Sequence, residues 1–156
     1  MRAVACSFLL ALGGVISPAC GANDLGQKVF NERCVLCHQT DAHGAAGVAP
    51  SLVGTLVPYL GSAEGKRYLA QILISGMIGP IDTEGHKFSG LMPSFRADLS
   101  DAEIAATINY VLGTYNDVSD AGATIPIAPA DVTAASATNP VATGTRALRQ
   151  SLRVPQ

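Results

Sequence analysis

Two cysteines separated by two residues and followed at once by a histidine restrict this chain more than any other feature: Cys34-Val35-Leu36-Cys37-His38. On a helical turn this spacing puts two thiols close together and pins an imidazole beside them. Three chemistries use such a pair. A thioredoxin-like redox pair sits near a βαβ pattern, and no long run of alternating apolar residues supplies strands for one. A structural zinc needs four ligands, and the other histidines, His43 and His86, are not paired. The third chemistry is attachment of a c-type haem. Each thiol forms a thioether to one of two adjacent vinyl groups, and the following histidine becomes an axial ligand of the iron. One covalent haem c is therefore expected, on Cys34 and Cys37, with His38 as the proximal ligand.

The composition agrees with a core filled partly by a cofactor. Aromatic residues make up 5% of the 156 residues and there is no Trp, so the interior lacks large side chains that a haem would replace. The length suits one domain with a tail. The net charge is -2, and without a basic stripe nucleic acid is excluded as a partner.

The first residues have the order of a secretory signal peptide: Arg2, an apolar run over Phe8–Ile16, then small residues from Ala19 to Ala22. Cleavage after Ala22 is expected, with the periplasm as destination. The apolar run falls short of the roughly 20 residues that span a bilayer, although a retained N-terminal anchor is the competing reading. Lipoprotein anchoring at Cys20 is disfavoured, because Ser17 stands where Leu is usual. Cys6 and Cys20 fall inside the signal, so Cys34 and Cys37 remain and no disulfide framework is left to build.

Three main helices are expected. Asp24–Arg33 is capped by Asp24 and carries Leu25, Val29 and Phe30 on one face. A second runs from Ser62 to Ser75, stopped by Gly76. The third starts at Ser100, where Ser100-Asp101-Ala102-Glu103 spells a capping box, with Leu99 and Ile104 as a hydrophobic staple. Residues 39–61 read as loop, and 79–95 as a loop with a tight turn at Glu84-Gly85, or a small hairpin. The fold class is all-α. The organisation is a signal peptide over 1–22, a haem domain over 23–116 and an Ala/Thr/Pro-rich tail over 117–156, partly disordered, with Arg146, Arg149 and Arg153 as a solvated basic tip.

From about Asp24 to Asn116 the chain resembles the small single-haem cytochromes c with His/Met ligation. The marks are Gly26 and Phe30, the Cys34–His38 motif, Gly47-Val48-Ala49-Pro50-Ser51-Leu52, Gly90-Leu91-Met92-Pro93-Ser94-Phe95 and the final helix. The resemblance implies a cytochrome c fold wrapped on one haem, with Met92 as the sixth ligand. It also implies that the Pro50 carbonyl accepts a hydrogen bond from His38 Nδ1, and that Gly26 and Phe30 cross the final helix near Tyr110. Met77 competes with Met92 for the iron but reads better as lining the core or the haem edge. His43 lies too close to His38 to reach the other haem face, and His86 is a ligand only in a rearranged state. A subset of the family has Gly-x-x-Tyr-x-Gly-Val-Met-Pro where this chain has Gly85 to Pro93. Here Phe88 replaces the Tyr and removes a hydroxyl that would bond a haem propionate. Residues 128–132 look like the post-helix segment of the same subset.

By that resemblance, the chain is an exported electron carrier, soluble or a cytochrome subunit of a dehydrogenase or oxidase, and not itself an enzyme. Its partners are redox proteins: a dehydrogenase, an oxidase or another cytochrome. Membrane association would come only through a partner or a retained N-terminus. The rival readings are a haem enzyme or gas sensor whose Met92 dissociates, and a haem-bearing module that docks a partner through its tail.

Overall fold

The structure, a computed structural model, describes residues 19–118, 127–152 and 154. The expected signal peptide therefore lies largely outside the described residues. Helix α1 (Ala19–Arg33) begins before Asp24, the start expected from capping, and runs into Cys34 and the short α2 (Val35–His38). Among the described residues no helix is long and apolar enough to cross a membrane.

Helix α4 (Asp101–Tyr115) crosses α1, as the Gly26 and Phe30 marks imply. Gly26 makes the crossing close, because a Cβ there would stand 2.2 Å from the Ala106 carbonyl oxygen and 2.7 Å from Tyr110 Cβ. One turn later, the fully buried Phe30 ring lies 5.7 Å from that of Tyr110 and 5.5 Å from that of Tyr115. This aromatic cluster fixes the end of α1 just before the cysteines.

Helix α3 (Ala63–Ser75) starts at Ser62, whose hydroxyl accepts the Gly65 N–H at 3.0 Å. A 3-10 turn over Val57–Gly61 precedes it, inside a stretch expected to be loop. Tyr68, Leu69 and Ile74 of α3 share one core with Ile104, Ile108 and Leu112 of α4. The segment that follows is a full antiparallel hairpin of β1 (Met77–Thr83) and β2 (His86–Met92), closed at Glu84-Gly85, where both residues have positive φ. That geometry suits the tight two-residue turns that match strand twist. The chain is thus mostly helical, with one small two-stranded sheet.

The tail reading needs correction over residues 127–152. Helices α5 (Pro129–Ser136) and α6 (Ala142–Ser151) form there and pack on the domain, α5 on α3 and α4, and α6 on α3 and β1. The composition misled because the apolar residues are few, yet they fall at the right spacing. Val132 and Ala135 are buried, and Leu148 and Leu152 lie against the main core. Polar side chains complete the join. The Asn109 amide exchanges two hydrogen bonds with the Ile127 backbone, at 2.9 and 2.8 Å. Gln71 Nε2 donates to Thr138 Oγ1 at 2.8 Å, and the Ser75 and Thr145 hydroxyls meet at 2.6 Å. Arg149 is not solvated but buried, and it donates from Nη2 to the Asp82 carbonyl at 2.9 Å. Arg153 lies outside the described residues.

The capping box of α4 forms as expected: Ser100 Oγ accepts from the Glu103 N–H, and Glu103 accepts from the Ser100 N–H at 2.8 Å. Ser100→Ala is expected to lower unfolding stability by about 1 kcal/mol in denaturant melts. The Ser100 hydroxyl and N–H hold Glu103 below its ordinary carboxylate pKa, and hydrogen bonds from Arg96 and Thr133 do the same for Asp101. Their folded-state pKa values lie below the unfolded ones. The stability they contribute is therefore present above the ordinary carboxylate range and is lost as pH falls through the lowered values. The Ser100→Ala deficit should shrink in melts taken across that acid window.

Candidate haem site

An apolar cleft opens between the Cys34–His38 turn, the loop after it, α3 and the hairpin. Its walls include Cys34, Cys37, His38, Pro50, Tyr59, Tyr68, Met77, Met92 and Arg149. The residues expected to form a site are thus brought to one place from segments far apart in sequence.

The His38 imidazole is buried, and its Nδ1 lies 3.2 Å from the Pro50 carbonyl oxygen. With Nδ1–H donated there, Nε2 is left with its lone pair, the form in which imidazole binds a metal. Burial holds the His38 pKa below its ordinary value, against the opposing pull of the Pro50 bond, so the ring is neutral at physiological pH. The loop bearing Pro50 is tied back to the cysteine turn: the Gly44 N–H donates to the His38 carbonyl at 2.9 Å, and the Leu52 N–H to the Ala42 carbonyl at 2.8 Å. The Asn116 amide then fastens the next stretch to the end of α4. It accepts the Leu56 N–H and donates to the Leu52 and Val111 carbonyls.

Both thiols are free and half-buried. Burial, with the neighbouring Cys37 thiol, pushes the Cys34 thiol up to about 11. In the unmodified chain Cys34 is therefore protonated at neutral pH and does not behave as a reactive thiolate.

Met92 ends β2 and is half-buried. Its backbone is anchored by the end of α3: Phe95 N–H donates to the Leu73 carbonyl at 2.9 Å, and Ser94 Oγ to the Ile74 carbonyl at 2.6 Å. Gly76 is the hinge of this join. It has φ +68, and a Cβ there would stand 2.2 Å from the Met92 carbonyl oxygen. Met77 is the cross-strand partner of Met92 and lines the same cleft, itself buried. Cross-strand partners project to one face of a hairpin, so both thioethers belong to this cavity. His43 and His86 are exposed and do not line the cleft. Among the described residues no cluster of His, Cys, Asp or Glu is suited to a bare metal ion.

Sequence reasoning missed Tyr59, Tyr68 and Arg149. The tyrosine rings stand 4.7 Å apart, and the Arg149 guanidinium beside them opposes the rise in hydroxyl pKa that burial causes. The spacing of Thr145, Leu148, Arg149 and Leu152 was the available signal, since it marks one face of a helix.

This helical fold around a cleft that gathers Cys34, Cys37, His38 and Met92 defines a c-type cytochrome. The cytochrome c family matches residues 24–114, and the chain belongs to that family. It is 35% identical to a cytochrome c-552 of Thermus thermophilus over 75% of this chain and 74% of the relative. A second Thermus thermophilus cytochrome c-552 is 37% identical over 59% of this chain and 69% of the relative. The cytochrome c subunit of the Gluconobacter oxydans quinone alcohol dehydrogenase is 30% identical over 58% of this chain, but only 18% of the subunit is matched. Membership of the family implies a covalently bound haem c and a role in electron transfer with redox partners. The cleft fits that group: two adjacent thiols, a neutral imidazole and apolar walls are what a porphyrin attached by thioethers requires.

Gly76→Val should cost about 2 kcal/mol or more, from backbone strain at positive φ and the collision with Met92. The measurement is thermal unfolding of the purified protein, with Gly54→Val, a position of φ +70 with nothing within 4 Å of a Cβ, as the comparison that isolates the contact.

Proposed function

We propose that the chain is an exported monohaem electron carrier whose haem is attached at Cys34 and Cys37 and ligated by His38 and Met92. One observation carries this reading: His38, oriented by Pro50, and Met92, held by the end of α3, line the same apolar cleft. The bound haem supplies an iron that cycles between ferric and ferrous states. The protein's part is to hold the ligands still. His38 is kept in one tautomer and orientation by Pro50, and the soft thioether of Met92 favours the ferrous state and raises the potential. With both axial positions filled, no site is left for substrate chemistry, which favours carrier over enzyme or gas sensor.

Exchange of electrons requires contact near the cofactor edge. Val48 and Leu91 line the cleft and are 58% and 66% exposed, giving the opening an apolar rim. Such a rim suits short-lived docking to another redox protein. The likeness to a dehydrogenase cytochrome subunit supports a dehydrogenase among those partners. Export rests on Arg2, the apolar run over Phe8–Ile16 and the small residues from Ala19 to Ala22, the pattern of a secretory signal.

Met92→Ala should leave the haem attached, abolish the sulfur–iron charge-transfer band of the ferric protein and lower the midpoint potential. Met77→Leu should keep the band. Loss of the band in Met77→Leu but not in Met92→Ala would transfer the ligand role to Met77. Rapid CO binding by the reduced wild-type protein, with no such band, would favour the gas-binding reading. In expression trials His38→Ala should yield little normal holoprotein.

A further inference from the structure

We infer that Met77 is a positioning residue for the iron ligand: its side chain holds the Met92 thioether in place, beside a step of the hairpin that carries no side chains. The inference rests on the haem reading above and deepens it, since it concerns what fixes the ligand's sulfur.

The backbone of Met92 is well held. A Cβ on Gly76 would stand 2.2 Å from its carbonyl oxygen, and the Phe95 N–H and Ser94 hydroxyl donate to carbonyls at the end of α3. A fixed backbone does not fix the sulfur. Methionine is unbranched, with three rotatable bonds, and the entropy of ordering it must be offset by packing. Met92 ends its strand and is only half-buried.

The register of the hairpin decides what can pack there. Residues two apart on a strand share a face, so Met77–Met92, Gly79–Gly90 and Ile81–Phe88 are successive pairs on one face, and all six residues line the cleft. Direct cross-strand partners have Cβ atoms about 4.5–5.5 Å apart. The middle pair is bare, and at Gly79 the φ of +100 disfavours any side chain. The Ile81–Phe88 pair lies four residues along the strands from Met92, about 13 Å away and out of reach. Of the hairpin's side chains on that face, Met77 is therefore the one that can bear on Met92.

The two members of the pair differ in how they are anchored. Met77 is 8% exposed and belongs to the main core with Leu69 and Ile74 of α3. It is the held partner, and Met92 is the one that needs holding. Truncating Met77 would join its space to the gap over Gly79 and Gly90. Met92 could then turn into one continuous void and leave its place in the cleft. A residue that only fills the core and one that holds the ligand differ in what their loss does at the iron.

The test uses the full-length ferric holoprotein, with imidazole as competitor for the position that Met92 fills. Wild type, Met77→Ala and Met77→Leu are compared at one pH by imidazole dissociation constant, by the sulfur–iron charge-transfer band and by thermal unfolding. Met77→Ala is expected to bind imidazole up to about tenfold more tightly, the gain from freeing one flexible side chain, and to show a weakened band. Met77→Leu keeps the volume and should stay close to wild type in both. If Met77→Ala loses thermal stability while imidazole affinity and band keep their wild-type values, Met77 only fills the core and the inference fails. Val132→Ala is the control, since Val132 is buried in the same core but does not line the cleft. An equal gain in imidazole affinity there would make the effect one of general loosening and overturn the inference. If Met77→Ala yields no holoprotein, Met77→Val decides: tighter imidazole binding supports the positioning role, and wild-type affinity overturns it. A wild-type protein without a haemochrome spectrum would refute the haem reading, and this inference with it.

Discussion

The close crossing of α1 and α4 at Gly26 is the contact on which the cleft depends. Without a side chain at Gly26 the two backbones come near enough for Phe30 to lodge against Tyr110 and Tyr115. Phe30 is followed within one turn by Cys34, so the position of the thiols and of His38 follows from that packing. A bulkier residue at Gly26 would push the helices apart and move the cysteine turn with them. Loss of contact there would cost more than its own area, since it would carry the ligand-bearing turn away from the hairpin that must face it.

The opposite wall is built by a different device. Helix α3 ends at a positive-φ glycine, and the chain returns through the hairpin so that Met92-Pro93 passes directly over that end. A two-stranded hairpin alone is marginal in water. Here β1 is backed by α6, and the residues after β2 are hydrogen-bonded to the last carbonyls of α3. The strand that carries Met92 is thus ordered by helices on either side of it in the sequence. That explains how a thioether on a short hairpin can hold a fixed place.

Much of this was legible from residues alone. The capping box at Ser100, the helix from Ser62 and its stop at Gly76 have local causes, and each stands in the structure as expected; the Gly26 crossing joins residues far apart in sequence and follows from the family resemblance. The Pro50 carbonyl meets His38 as the family resemblance implies. The C-terminal region was misread because its order comes from long-range partners. Val132 and Ala135 are buried but few, and Asn109, Ser75 and Gln71, which hold that region down, lie far earlier in the chain. Composition sees an Ala/Thr-rich stretch and predicts disorder, whereas the outcome is decided by surfaces that the stretch does not itself contain. Arg149 was hidden for the same reason: a lone arginine in such a segment reads as solvated until its neighbours in space are known.

The way α6 is attached has a consequence for the order in which the molecule opens. Its contacts run to α3 and β1, whereas the cysteine turn is held by α1 and α4. Few of its side chains are fully buried, and much of its hold is through hydroxyl and guanidinium bonds that water can replace. Such a unit belongs at the low-stability end of local unfolding. It can lift away while the Cys34–His38 turn keeps its shape, exposing one flank of the cleft. The amide protons of α6 should therefore exchange sooner than those of α1 and α4.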